Sequence, residues 1–167
     1  MATAVWFEPA GDVIEERRSN RLARALARLG IEPRARVALV CCDDHAVERD
    51  VGWLALRKLG AGAVVIPVDA SPAALRRLPA AARTLVVLAC AHGVAAWQAA
   101  RLPGVIVGDD VGVLWWRALE AHESPEPFDL SPPAAGDVIA RLEANGRWSL
   151  LINGPEDEVG LVAIAGA

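Results

Sequence analysis

Apolar residues along the chain follow two alternating rhythms, one of helical spacing and one of short unbroken runs. From Val13 to Leu29, the residues Leu22, Ala25, Leu26 and Leu29 recur at helical intervals and Gly30 supplies a stop, which predicts an amphipathic helix. RVALVCC (Arg36 to Cys42) is a nearly all-apolar run, as expected of a strand covered on both faces of a parallel sheet. A second helix is predicted from Ala46 to Leu59 with Val47, Val51, Leu54 and Leu59 inward, then a second buried strand, AGAVVIPVD (Ala61 to Asp69). Ser71 and Pro72 open a helix that Pro79 ends or kinks. The pattern then repeats with strand TLVVLAC (Thr84 to Cys90), a helix around GVAAWQAARL, strand GVIVG (Gly104 to Gly108) and a last helix, DDVGVLWWRALEAH.

Strands and helices alternating every 20 to 25 residues or so predict right-handed βαβ units. The fold class is α/β, an open, doubly wound, mainly parallel sheet of about four strands with helices on both faces. Residues 1–122 form this core. Four prolines in the fourteen residues ESPEPFDLSPPAAG mark residues 123–136 as a surface linker. Residues 137–167 are expected to complete the same domain with a short helix, DVIARLEAN, and two strands, RWSLLI and VGLVAIA, separated at NGPEDE.

A chain of 167 residues, 54% hydrophobic, suits one domain with a sizeable core and excludes disorder. With 17 Lys and Arg against 21 Asp and Glu and no basic stripe, nucleic acid is not an expected partner. The start, MATAVWFEPAGD, lacks the pattern of a signal peptide, and no run reaches the ~18 apolar residues of a spanning helix. A cytoplasmic protein with no membrane partner is expected. The three cysteines, Cys41, Cys42 and Cys90, form no CxxC and no framework of spaced pairs, so reduced, buried thiols are expected.

Ligands of open parallel sheets bind at the carboxyl ends of the strands, here CCDDH (Cys41 to His45), VDAS (Val68 to Ser71), CAH (Cys90 to His92) and GDD (Gly108 to Asp110). These ends bring together thiols, imidazoles and carboxylates, suggesting a metal or acid/base site, with Asp43, His45, Cys42 and His92 as catalytic candidates. The favoured reading is plainer: Asp43, Asp44, Ser71 and Asp109 or Asp110 cap helices, while His45 and His92 occupy exposed turns. No metal and no cofactor are assigned. Gly60 to Gly62 follow a helix and enter a strand, so they make a C-cap turn and not a phosphate cradle. The sequence contains no GxxxxGK[ST], GxSxG or HExxH, and its one lysine, Lys58, lies inside a predicted helix. Adjacent residues on a helix point about 100° apart, so Trp115 and Trp116 cannot share one core face. Both, with Trp148, are candidates for a protein interface.

The stretch SNRLARALARLGIEPRARVALVCCDDHAVERDVGWLALRKLGAGAVVIPVD (Ser19 to Asp69), followed by SPAALRRL, resembles the amino-terminal segment of the adenylate-forming enzymes. This is the AMP-binding superfamily of acyl-CoA synthetases, luciferases and nonribosomal-peptide adenylation domains. The resemblance runs from about Val5 to Ala121 and lies in scaffold elements. It implies that the next element should be a Ser/Thr/Gly-rich loop ending in Pro-Lys-Gly, which holds the ATP phosphates. At that place the chain reads SLLINGPEDEVGLVAIAGA, with Glu156, Asp157 and Glu158 and no lysine. The resemblance therefore implies a truncated, non-catalytic relative acting as an interaction or scaffold protein, with a protein partner or a homodimer expected. Its alternatives are half of a split adenylate-forming enzyme, a repurposed small enzyme, or a module that binds an acyl or carrier-protein-tethered ligand in the strand-end cleft.

Overall fold

Four apolar residues after Arg36 make β1 (Arg36–Val40) a strand that neither face exposes to water: Val37 and Leu39 point into one core, Ala38 and Val40 into the other. The computed structural model describes residues 13–78, 86–108, 113–128, 138–142, 148–153 and 159–163. Around β1 the described residues build one sheet of eight strands in the order β5-β4-β3-β1-β2-β6-β7-β8. The further strands are β2 (Gly62–Val65), β3 (Val86–Ala89), β4 (Val105–Gly108), β5 (Leu114–Trp115), β6 (Val138–Leu142), β7 (Trp148–Asn153) and β8 (Val159–Ala163). All pairs from β5 across to β6 are parallel, and β7 and β8 add an antiparallel hairpin.

The helices divide between the faces, as a doubly wound sheet requires. On one face α1 (Val13–Arg28), α2 (Ala46–Leu59) and α5 (Trp116–Ala121) contribute Leu22, Leu26, Val51, Leu56 and Trp116 to a core under Val37 and Leu39. On the other, α3 (Pro72–Arg76) and α4 (Ala91–Ala100) bury Leu75, Val94 and Trp97 against Val40 and Val87. Local chemistry sets the boundaries. Gly60 ends α2 at φ 68°, and Ser71 caps α3 with its Oγ accepting from the Ala74 amide at 3.1 Å.

α1 is held in place by buried polar groups as well as packing. Lys58 is 5% exposed, and its Nζ donates to Glu16 Oε1 at 2.6 Å, Asn20 Oδ1 at 2.6 Å and Ser19 Oγ at 2.8 Å. Arg18 grips the buried Glu120 of α5 with two bonds of 2.8 and 2.9 Å. Lys58→Met keeps the stem but strands the oxygens of Ser19 and Asn20, so it should cost about 2 kcal/mol in a urea melt. An unchanged midpoint would refute that assignment.

Several expectations need correction. Within DVIARLEAN, where a short helix is expected, the described residues Val138–Leu142 form β6 instead, paired with β2 through Val64↔Ala140 and Val65↔Arg141. A nine-residue helix is marginal alone, whereas the open edge of β2 offers backbone partners to Ala140 and Arg141, and the branched Val138 and Ile139 beside them suit a strand. The last helix of the core starts only at Trp116, because Leu114 and Trp115 pair with β4 as β5. That change of backbone separates the two tryptophans. Trp115 is 64% exposed, and Trp116 is 1% exposed over Gly52, where a Cβ would come within 3.2 Å of its ring. Trp116 is therefore core and not an interface residue. Val47 is exposed, because the buried stripe of α2 runs through Val51, Ala55, Leu56 and Leu59. Within the predicted linker, residues 124–128 lie along α1: Arg24 donates to the carbonyls of Ser124, Glu126 and Pro127, and Asn20 to that of Pro125. Residues 129–136 lie outside the described residues, as do Pro79, Asp109 and Asp110.

Candidate functional site

The carboxyl ends of β1 and β3 are adjacent, with Val40 opposite Ala89, and the chain leaves them towards opposite faces. After β1 it enters a 3₁₀ turn, Asp43–His45, and then α2; after β3 it enters α4 directly. This divergence makes the gap between them a topological switch point, where ligands of such sheets bind. Two contacts draw the ends together. The Cys90 amide donates to the Val40 carbonyl at 3.2 Å, and Gly93 brings the first turn of α4 so close that a Cβ there would lie 1.9 Å from that oxygen.

Four side chains converge in the gap: Cys42, His45, Cys90 and His92, with one sulfur or nitrogen from each within 4.8 Å of the others. Cys42 Sγ lies 3.0 Å from His45 Nδ1, 3.6 Å from His92 Nδ1 and 3.7 Å from Cys90 Sγ. The two imidazoles meet edge to face at 74°, with centroids 6.0 Å apart. Cys90 is buried, Cys42 and His45 are half-buried, and His92 is exposed, so the cluster is open to solvent on one side.

The thiols are electrostatically unequal. The Cys41 thiol hydrogen-bonds to the Cys90 sulfur, and with the backbone amides of Cys42 and Gly93 it overcomes the cost of burial, holding Cys90 down at about 4. The same bond, with burial, pushes the Cys41 thiol far up. Burial and the neighbouring Cys90 sulfur raise Cys42, against the pull of the Asp44 and His45 amides. Such a set can act as a thiolate nucleophile beside a base or as a group of metal ligands. Among the described residues neither imidazole bonds to a carboxylate, the third group that orients the base in a hydrolytic Cys–His pair.

Of the four catalytic candidates, the fold brings Cys42, His45 and His92 together. Asp43 stays outside, its exposed carboxylate accepting from Arg49 at 2.6 Å. Asp43 and Asp44 do not cap a helix: they lie within the 3₁₀ turn, and neither that turn nor α2 has a side-chain cap. Cys90 is not among the candidates that the sequence singles out, and no metal is expected from sequence. A signal was present, since both strand ends read thiol then imidazole, Cys42-x-x-His45 and Cys90-x-His92. A search for CxxC pairs misses ligands supplied one thiol at a time by segments 48 positions apart.

No protein-family profile matches the sequence, and no curated protein matches it. Solved structures do match. An anthranilate CoA ligase in complex with anthranoyl-AMP superimposes with a TM-score of 0.70 at 18% identity, covering 83% of this chain and 28% of its own. A benzoate CoA ligase from Burkholderia xenovorans gives 0.68 at 20% identity, with the same coverage of 83% and 28%. A Mycobacterium tuberculosis fatty acyl CoA synthetase gives 0.67 at 19% identity, covering 84% and 28%. The chain thus carries the fold of the amino-terminal segment of the adenylate-forming enzymes and spans under a third of the length of these structures.

Proposed function

We propose that the protein is a non-catalytic module on the adenylate-forming scaffold, acting through protein contacts and not through ATP-dependent activation of a substrate. The observation that carries this reading is Lys58. The chain's one lysine is committed to Glu16, Ser19 and Asn20 between α1 and α2, so it cannot serve as a phosphate-loop lysine. The β7–β8 hairpin supports it further. Its strands are in register from Ser149↔Ala163 to Asn153↔Val159, and in sequence the segment between them, GPEDE, carries three acidic residues and no lysine, whereas the resemblance implies hydroxyls and a lysine at that point of the chain. A segment of that composition repels triphosphate.

The contact surface is the edge of the sheet at β5. Trp115 is 64% exposed beside Leu114 at 39%, with Val105 at 49% on the neighbouring β4. An exposed tryptophan on an edge strand suits a protein partner or a second copy of the chain. A second reading, new chemistry at the strand ends, is favoured by the Cys42, His45, Cys90 and His92 cluster.

Calorimetric titration with Mg-ATP tests the proposal. No heat of binding is expected, whereas saturable one-to-one binding would contradict it.

A further inference from the structure

We propose that Cys42, His45, Cys90 and His92 bind one zinc ion in a tetrahedral site that pins the ends of β1 and β3 together. Such an ion would sit at the switch point whether or not the protein binds ATP. Zinc sits about 2.3 Å from sulfur and about 2.0–2.1 Å from nitrogen, so a tetrahedral Cys₂His₂ site has sulfurs about 3.8 Å apart and sulfur–nitrogen edges of about 3.5 Å. The observed sulfur–sulfur distance is 3.7 Å, and the sulfur–nitrogen distances are 3.6 and 3.0 Å. To admit the ion, the hydrogen-bonded Cys42–His45 pair has to open by a few tenths of an ångström, and the four ligand atoms, which lie within 4.8 Å of one another, have to settle onto these tetrahedral edges.

Chemistry selects the metal. Two thiolates and two imidazoles suit zinc and disfavour magnesium and calcium, which take oxygen ligands. Four protein ligands close the coordination sphere, as in structural sites, and leave no position for a substrate. The surroundings fit bound thiolates: the amides of Asp44 and His45 face Cys42, and those of Cys42 and Gly93 face Cys90. On binding, the protons still held by the thiols leave to solvent, and a dication with two thiolates gives a neutral centre. His92 is exposed, so the ion has a way in.

The experiment uses untagged protein, reduced and stripped of metal, titrated with cobalt(II) and then with zinc. One equivalent of cobalt should produce intense visible bands of a tetrahedral ion and near-ultraviolet thiolate charge transfer, and one equivalent of zinc should remove both. Loss of an outer-shell partner weakens zinc sites about 10- to 100-fold, so removing a ligand should exceed this. His92→Ala, at an exposed position that folding tolerates, should weaken zinc binding more than 100-fold, and Cys42→Ser should remove half of the charge-transfer intensity. A weak octahedral cobalt spectrum, binding unaffected by His92→Ala, or a Cys42–Cys90 disulfide that persists in reductant would each overturn the proposal.

Discussion

Replacing Gly93 with alanine should destabilise the protein by roughly 3 kcal/mol and take the strand-end cluster apart. The added methyl would sit 1.9 Å from the Val40 carbonyl oxygen and 3.0 Å from the Val40 Cβ. The obstruction is backbone, so no side-chain rotation relieves it. α4 must lift from the end of β1, carrying His92 and Cys90 away from Cys42 and losing the Cys90 amide bond to Val40. Ala95→Ser, on the exposed side of the same helix, should change stability by no more than about 0.5 kcal/mol. Urea melts of the two variants give the comparison. Equal midpoints would mean that α4 does not approach β1 as closely as described.

Zinc should raise the melting temperature, and a chelator should reverse the rise. A ligand that binds only the folded state at a thousandfold over its dissociation constant contributes about 4 kcal/mol. For a chain of this length that is a shift of roughly 8 to 16 °C. The double variant Cys42→Ser/His92→Ala should melt at the same temperature with and without zinc. A zinc-independent melt of the wild-type chain, or an equal shift in the double variant, would argue against a site that clamps the two strand ends.

The core was legible in the sequence because each element announces itself locally. β1 to β3 are apolar runs largely buried on both faces, β4 is buried only in its second half, α2 fills its predicted span of Ala46 to Leu59, and Ser71 with Pro72 marks the start of α3 by known capping chemistry. What local pattern could not supply was the outcome of competition between distant segments. Val138–Leu142 has helical spacing as well as a strand's branched residues, and the free edge of β2 decides between them. Trp115 and Trp116 fall on opposite sides of a strand-to-helix change that periodicity does not register. The site was legible in its parts. Switch-point reasoning selects CCDDH and CAH, but the meeting of Cys90 with Cys42 follows only once β3 is placed beside β1 and Gly93 lets α4 close over Val40. Lys58 likewise reads as an ordinary helix residue until α1 covers it.

X-ray absorption at the zinc edge is the most direct test of a metal centre at the strand ends. One tightly held zinc is expected, with two sulfurs at about 2.3 Å and two nitrogens at about 2.0–2.1 Å. A shell of oxygen and nitrogen alone, or a protein that retains no zinc after gel filtration, would contradict it.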